Sequence, residues 1–121
     1  MNVTKYEHAC LVLEHEGQRL VIDPGTFTRA LPHLENVTAI VITHQHPDHW
    51  SDDQLTRIRE NNPDAPIFGP AGVAAAATNW NVTTVAHGAS ETVGVWTLEF
   101  FGSEHAVIHE SIPMIDNVGV L

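Results

Sequence analysis

Four side chains of metal-binding type fall within six residues of this chain, in Thr43-His44-Gln45-His46-Pro47-Asp48-His49. His44 and His46 are two apart. In extended backbone, alternate residues point to the same side, so this pair can grip one ion. Asp48 and His49 lie beyond the Pro47 turn and can aim at a second ion beside the first. Two such ions, roughly 3.5–4 Å apart, can make a water nucleophilic and polarise a substrate oxygen. Imidazole with carboxylate suits zinc, with iron or manganese as further candidates. The rival reading is a surface loop that happens to be rich in histidine. It offers no reason for this spacing at the end of an apolar run.

Ligands of this kind need rigid elements on either side. Residues 38–43 (TAIVIT) are apolar and rich in β-branched side chains, so they predict a central strand. Pro47 then prevents the ladder from continuing. A helix follows at once. Ser51 can cap it with Gln54 at the third position as a capping box, and Trp50 with Leu55 forms a hydrophobic staple. Asp52 and Asp53 suit the positive end of the helix dipole. Leu55 and Ile58 form its buried stripe, and Asn62-Pro63 ends it. Upstream, residues 10–13 and 19–22 are nearly continuous apolar runs around His15-Glu16-Gly17-Gln18, which predicts a hairpin turning at Gly17. Strands of that composition are usually covered on both faces. Asp23-Pro24-Gly25 stops the second of them. Further strands are predicted at 66–69, 82–85, 95–102 and 118–121, with a second helix from Pro70 to about Trp80. The class is α/β, with sheet layers under helices.

Composition narrows the function. The chain has 121 residues, enough for one domain, and no internal repeat. Five basic residues against fifteen acidic ones leave a net charge of −10, which disfavours nucleic acid and anionic membranes. No apolar run is long enough to cross a bilayer, and the first residues lack the apolar stretch of a secretory leader. Cys10 is the single cysteine, so no internal disulfide forms and a cytoplasmic location is the default expectation. Nine histidines point the same way as the loop.

The Thr-His-x-His-x-Asp-His pattern at residues 43–49 resembles the hallmark of the metallo-β-lactamase superfamily of metal-dependent hydrolases. Three other segments run in the superfamily's order. Ile22-Asp23-Pro24-Gly25 is similar to its strand-ending Asp segment, whose Asp supports the metal loop. Tyr6-Glu7-His8-Ala9 resembles the entry segment of a lactonase-like branch. Gly102-Ser103-Glu104-His105 stands where a third histidine for the first metal is expected. The resemblance implies an αββα sandwich with the site at one edge of two packed sheets. It implies His44, His46 and His105 on one ion, and Asp48 and His49 on a second. Asp48 would also act as the catalytic carboxylate, orienting the attacking water. His8 and Asp23 would face the substrate or support the ligands; the other reading of His8 is a partly exposed strand-end histidine, and that of Asp23 a plain turn residue.

The chain departs from the pattern after His105. Asp116 does not sit in the family's Gly-Asp segment, and the last histidine, His109, is only four residues further on. The chain therefore resembles the N-terminal half of such a hydrolase. A half-sandwich would expose apolar surface and so self-associate into a homo-oligomer. The functional expectation is hydrolysis of a small-molecule ester, lactone, thioester or phosphodiester by zinc-activated water. The alternative is an inactive metal-binding or self-associating fragment. His87 is an alternative third ligand and His109 a substitute one. His15 and His33 read as solvated. Cys10, Trp80, Trp96, Phe100 and Phe101 read as core.

Overall fold

The computed structural model describes residues 2–7, 9–26, 28–46, 49–102 and, for the backbone, 119–120. Nine strands and two helices are described, in the order β1 (Asn2–Lys5), β2 (Leu11–His15), β3 (Gln18–Ile22), β4 (Val37–Val41), α1 (Asp52–Asn61), β5 (Ile67–Gly69), α2 (Ala71–Ala76), β6 (Val82–Thr84), β7 (Ser90–Val93), β8 (Trp96–Phe101) and β9 (Gly119–Val120). β1 to β6 form one mixed sheet in chain order, and β7, β8 and β9 form a second, smaller sheet.

Turn chemistry sets the antiparallel part. Glu16 and Gly17 both have positive φ, 50° and 76°. That two-residue turn matches the right-handed strand twist and pairs β2 with β3 in register from Leu11–Ile22 to His15–Gln18. The chain then changes direction of pairing. β3 and β4 are parallel, as are β4 with β5 and β5 with β6. Parallel neighbours require a crossover: residues 23–36 supply it between β3 and β4, α1 between β4 and β5, and α2 between β5 and β6. The consequence for function is geometric: β3, β4 and β5 end at one edge of the sheet, where α/β sheets carry their sites.

The strand residues alternate between two cores. Val21, Ile40, Ile42 and Ile67 face one way, packing with Leu55, Ile58 and Val73 of the helices. Leu20, Ala39, Val41 and Phe68 face the other, packing with Trp96, Leu98 and Phe100 of the second sheet. This gives helix, sheet and sheet as successive layers, and it explains why the central strands read as unbroken apolar runs. Burying Leu55 and Ile58 completely contributes about 1.5–3 kcal/mol each.

Three expectations are corrected. Phe101 is 44% exposed rather than core, because β8 alternates strictly and its even-numbered residues face inward. The second helix ends at Ala76, not near Trp80, since Thr78 and Asn79 favour turns over helix and the Trp80 amide bonds the Ala77 carbonyl. The capping box is only half made. The Gln54 amide donates to Ser51 Oγ at 3.2 Å, but the Gln54 side chain turns inward instead of back to Ser51. β1 and β7, both short and largely polar, had no signal in the sequence.

Candidate metal centre

The register of β3 against β4 creates the site. Ile22 pairs with Val41, and the Asp23 amide still donates to the Val41 carbonyl at 2.9 Å. The residue after β3 is thereby set beside the segment that leaves β4. Asp23 then takes φ +51°, an uncommon conformation for a residue with a side chain. Its carboxylate is 4% exposed and accepts three hydrogen bonds. Oδ1 accepts from the Thr43 amide at 2.7 Å, and Oδ2 from the Thr43 hydroxyl and from His49 Nδ1, each at 2.7 Å.

These bonds assign the histidine tautomers. A carboxylate only accepts, so His49 carries its hydrogen on Nδ1. The Thr43 hydroxyl directs its single hydrogen to Asp23, so towards His44 Nδ1, at 3.1 Å, it acts as acceptor. His44 therefore also carries its hydrogen on Nδ1. In the neutral form of each ring Nε2 then holds the lone pair, the arrangement that outer partners impose on metal-ligating histidines. The structure brings His44, His46 and His49 together. The His44 ring centroid lies 3.7 Å from that of His49 and 5.1 Å from that of His46. His44 is buried, and the other two are half-buried.

The donor types fit a divalent ion. Among the described residues, however, no group of three or more His, Cys, Asp or Glu side chains is arranged to hold one. The His8, Asp48 and His105 positions lie outside the described residues, as do those of His109 and Asp116. His87 does not join the three histidines through Nδ1, which accepts the Gly102 amide at 2.9 Å. It ties the β6–β7 connection to the end of β8, with its ring against Phe101. His15 and His33 are exposed beside Glu16 and Glu35, as solvated residues should be.

Several supporting residues carried no functional signal. The Trp50 indole donates to the Gln45 carbonyl at 2.9 Å, bracing the histidine loop from its far end. Gln54, 2% exposed, reaches from the first turn of α1 to the loop that follows Asp23. Its spacing four before Ile58 places residue 54 beside the buried stripe, but says nothing of which groups its amide meets. Glu7 forms a two-pronged ion pair with Arg29 and accepts its amide too, which lowers the Glu7 carboxyl from 4.5 to about 2. Cys10 is fully buried. That burial, with Asp23 and Glu7 nearby, pushes its thiol up to about 12, so it is inert core.

The sequence matches the model of the β-lactamase superfamily domain over residues 2–119. The chain belongs to this superfamily. It is 37% identical over its whole length to protein Rv0786c of Mycobacterium tuberculosis, of which it covers 57%. The chain spans about half the length of the curated relatives it matches. Two solved structures share the superfamily fold. CmlA, a diiron β-hydroxylase from Streptomyces venezuelae, superposes with a TM-score of 0.72 at 20% identity, over 98% of this chain and 26% of CmlA. Igni18, a metallo hydrolase from the archaeon Ignicoccus hospitalis, superposes with a TM-score of 0.62 at 18% identity, over 98% of this chain and 55% of Igni18. The superfamily fold anticipated from residues 43–49 is thus the fold present. Among the described residues no helix is long and apolar enough to cross a membrane.

Proposed function

We propose that this chain carries the metal-binding part of a metal-dependent hydrolase acting on a small ester, lactone, thioester or phosphodiester. The observation that carries the reading is the pair His44 and His49, both held as Nδ1–H tautomers by Thr43 and Asp23 at the carboxyl edge of two parallel strands. A buried carboxylate held by three hydrogen bonds on the histidine loop has little purpose other than aiming these rings.

His44 and His46 would hold one ion, with His105 completing it, and Asp48 and His49 a second. A bound divalent metal supplies a water that is nucleophilic at neutral pH and a positive charge for the substrate oxygen. Asp23 keeps His49 in the ligating tautomer. Thr43 does the same for His44. Asp48 would orient the attacking water and accept its proton. Zinc is the first candidate because imidazole with carboxylate suits it, with iron or manganese next, and a diiron enzyme shares the fold. The net charge of −10 favours a small substrate over a polynucleotide. Self-association is proposed alongside, supported by Val3, 60% exposed on β1 at the edge of the sheet, and by exposed Phe101.

The test is elemental analysis of the untagged chain purified without chelator, beside His46→Ala. About two metal ions per chain, lost in the variant together with hydrolysis of a chromogenic ester panel, supports the reading. Metal content unchanged in His46→Ala removes the histidine loop from it. Metal bound without turnover favours the non-catalytic alternative. Light scattering reads self-association, and a monomer at all concentrations removes that part.

A further inference from the structure

The site's second anchor is Gln54. Among the described residues of the segment between β3 and β4, 23–36, there is no helix or strand, so their backbone polar groups need partners elsewhere. One buried amide supplies four of them. Gln54 Nε2 donates to the carbonyls of Arg29, Thr28 and Gly25 at 2.8, 3.1 and 3.4 Å. Gln54 Oε1 accepts from the Leu31 amide at 3.1 Å and from Arg57 at 3.1 Å.

The partners close a ring. Gly25 is two residues from Asp23, Asp23 holds His49, and His49 is two residues before Ser51, whose hydroxyl accepts the Gln54 amide. Gln54 therefore joins the start of the irregular segment to the helix launched by the histidine loop. We propose that Gln54 is a positioning residue for the metal loop, holding Asp23 and His49 in mutual register; this rests on the metal-binding reading above. The C-cap of the same helix, Asn62, is a natural control. Asn62 is also buried and also clamps this segment, but at its far end: Nδ2 donates to Leu34 and Ile58, and Oδ1 accepts from Val37.

The experiment compares Gln54→Met and Asn62→Leu in the whole chain, both near-isosteric and unable to make the clamp. Urea midpoints, titration with Zn2+ alone and the NMR signal of the His49 Nδ1–H are read on each. Both variants should unfold earlier than the parent. Only Gln54→Met should weaken Zn2+ binding, by about tenfold, at the low end of what losing an outer partner of a ligand costs. Only Gln54→Met should broaden or abolish the His49 signal. If Gln54→Met does not fold, Gln54→Asn, which withdraws the amide by one methylene, gives the same readings in smaller measure. Parental Zn2+ affinity and His49 signal in a folded Gln54 variant overturn the proposal. So does an equal loss of affinity in Asn62→Leu, which would reduce the effect to general stability. If the parent itself takes up no Zn2+, the hydrolase reading fails separately, and the His49 signal alone decides for or against Gln54.

Discussion

Asp23 shows how a single residue can join two strands into a site. It occupies a left-handed backbone conformation, which costs free energy that the surrounding hydrogen bonds must offset. Asp23→Ala strands the Thr43 amide and hydroxyl and releases His49. We expect a loss on the order of 1–3 kcal/mol for each buried group left unpaired, read by urea denaturation. Zn2+ affinity, read by titration, should fall about 10–100-fold. A variant with parental affinity would show that His49 does not need this partner. Glu7 makes a different kind of prediction. Arg29 depresses its carboxyl from 4.5 to about 2. A depressed acid stabilises the fold above its unfolded value and loses that contribution as the pH falls through its folded value. The gap in urea midpoint between the parent and Glu7→Gln should be full above about pH 5 and close towards pH 2. A gap that is constant over this range would remove the ion pair as its source. His44, His46 and His49 stood out by type and spacing, and Asp23 by its place after an apolar strand and its segment's likeness to the superfamily's. Thr43 as the tautomer-setting hydroxyl was not legible, because that role depends on a bond across two strands.

At the scale of elements, α1 caps, packs and clamps at once. Its start was legible because capping is local: Ser51 sits at the N-cap and accepts the Gln54 amide. Its packing separates into two magnitudes. Leu55→Ala should cost about 2–5 kcal/mol, since Leu55 is wholly buried in the core that the large sheet shares with both helices. Ser51→Ala should cost about 1 kcal/mol, one cap. Equal losses in urea denaturation would mean that the helix is held by its end rather than by its face. Gly69, at the end of β5, belongs to the same assembly. A Cβ there would stand 3.1 Å from the Ile42 carbonyl and from Val73, pressing on the strand that launches the histidine loop. The inward turn of the Gln54 side chain was not legible, because a Gln at that position serves a local capping box equally well.

For the whole molecule, the proposed metal binding links to stability. An ion that binds only the folded chain stabilises it, by about 2.7 kcal/mol at a hundredfold excess over the dissociation constant. Adding a chelator to the zinc-loaded chain should lower its unfolding temperature by several degrees. The shift should vanish in His46→Ala. A shift that persists there would place the ion elsewhere. The layered architecture makes this coupling direct, since the histidine loop leaves the central strand that both cores share.

The amino-acid order by itself determined the α/β class, the central apolar strands, the start of α1 and the superfamily hallmark. Each rests on periodicity, capping or ligand spacing within a few residues. The tertiary structure alone decided which nitrogen of His44 and His49 carries the hydrogen, that Phe101 faces outward, and that Gln54 clamps the segment after Asp23. The first and the last depend on parallel pairing of β3 with β4 and on a side chain crossing between elements more than twenty residues apart, and the second on which face of β8 packs against the first sheet. No local pattern encodes a contact of that range, because its partner is set by the fold rather than by the neighbouring residues.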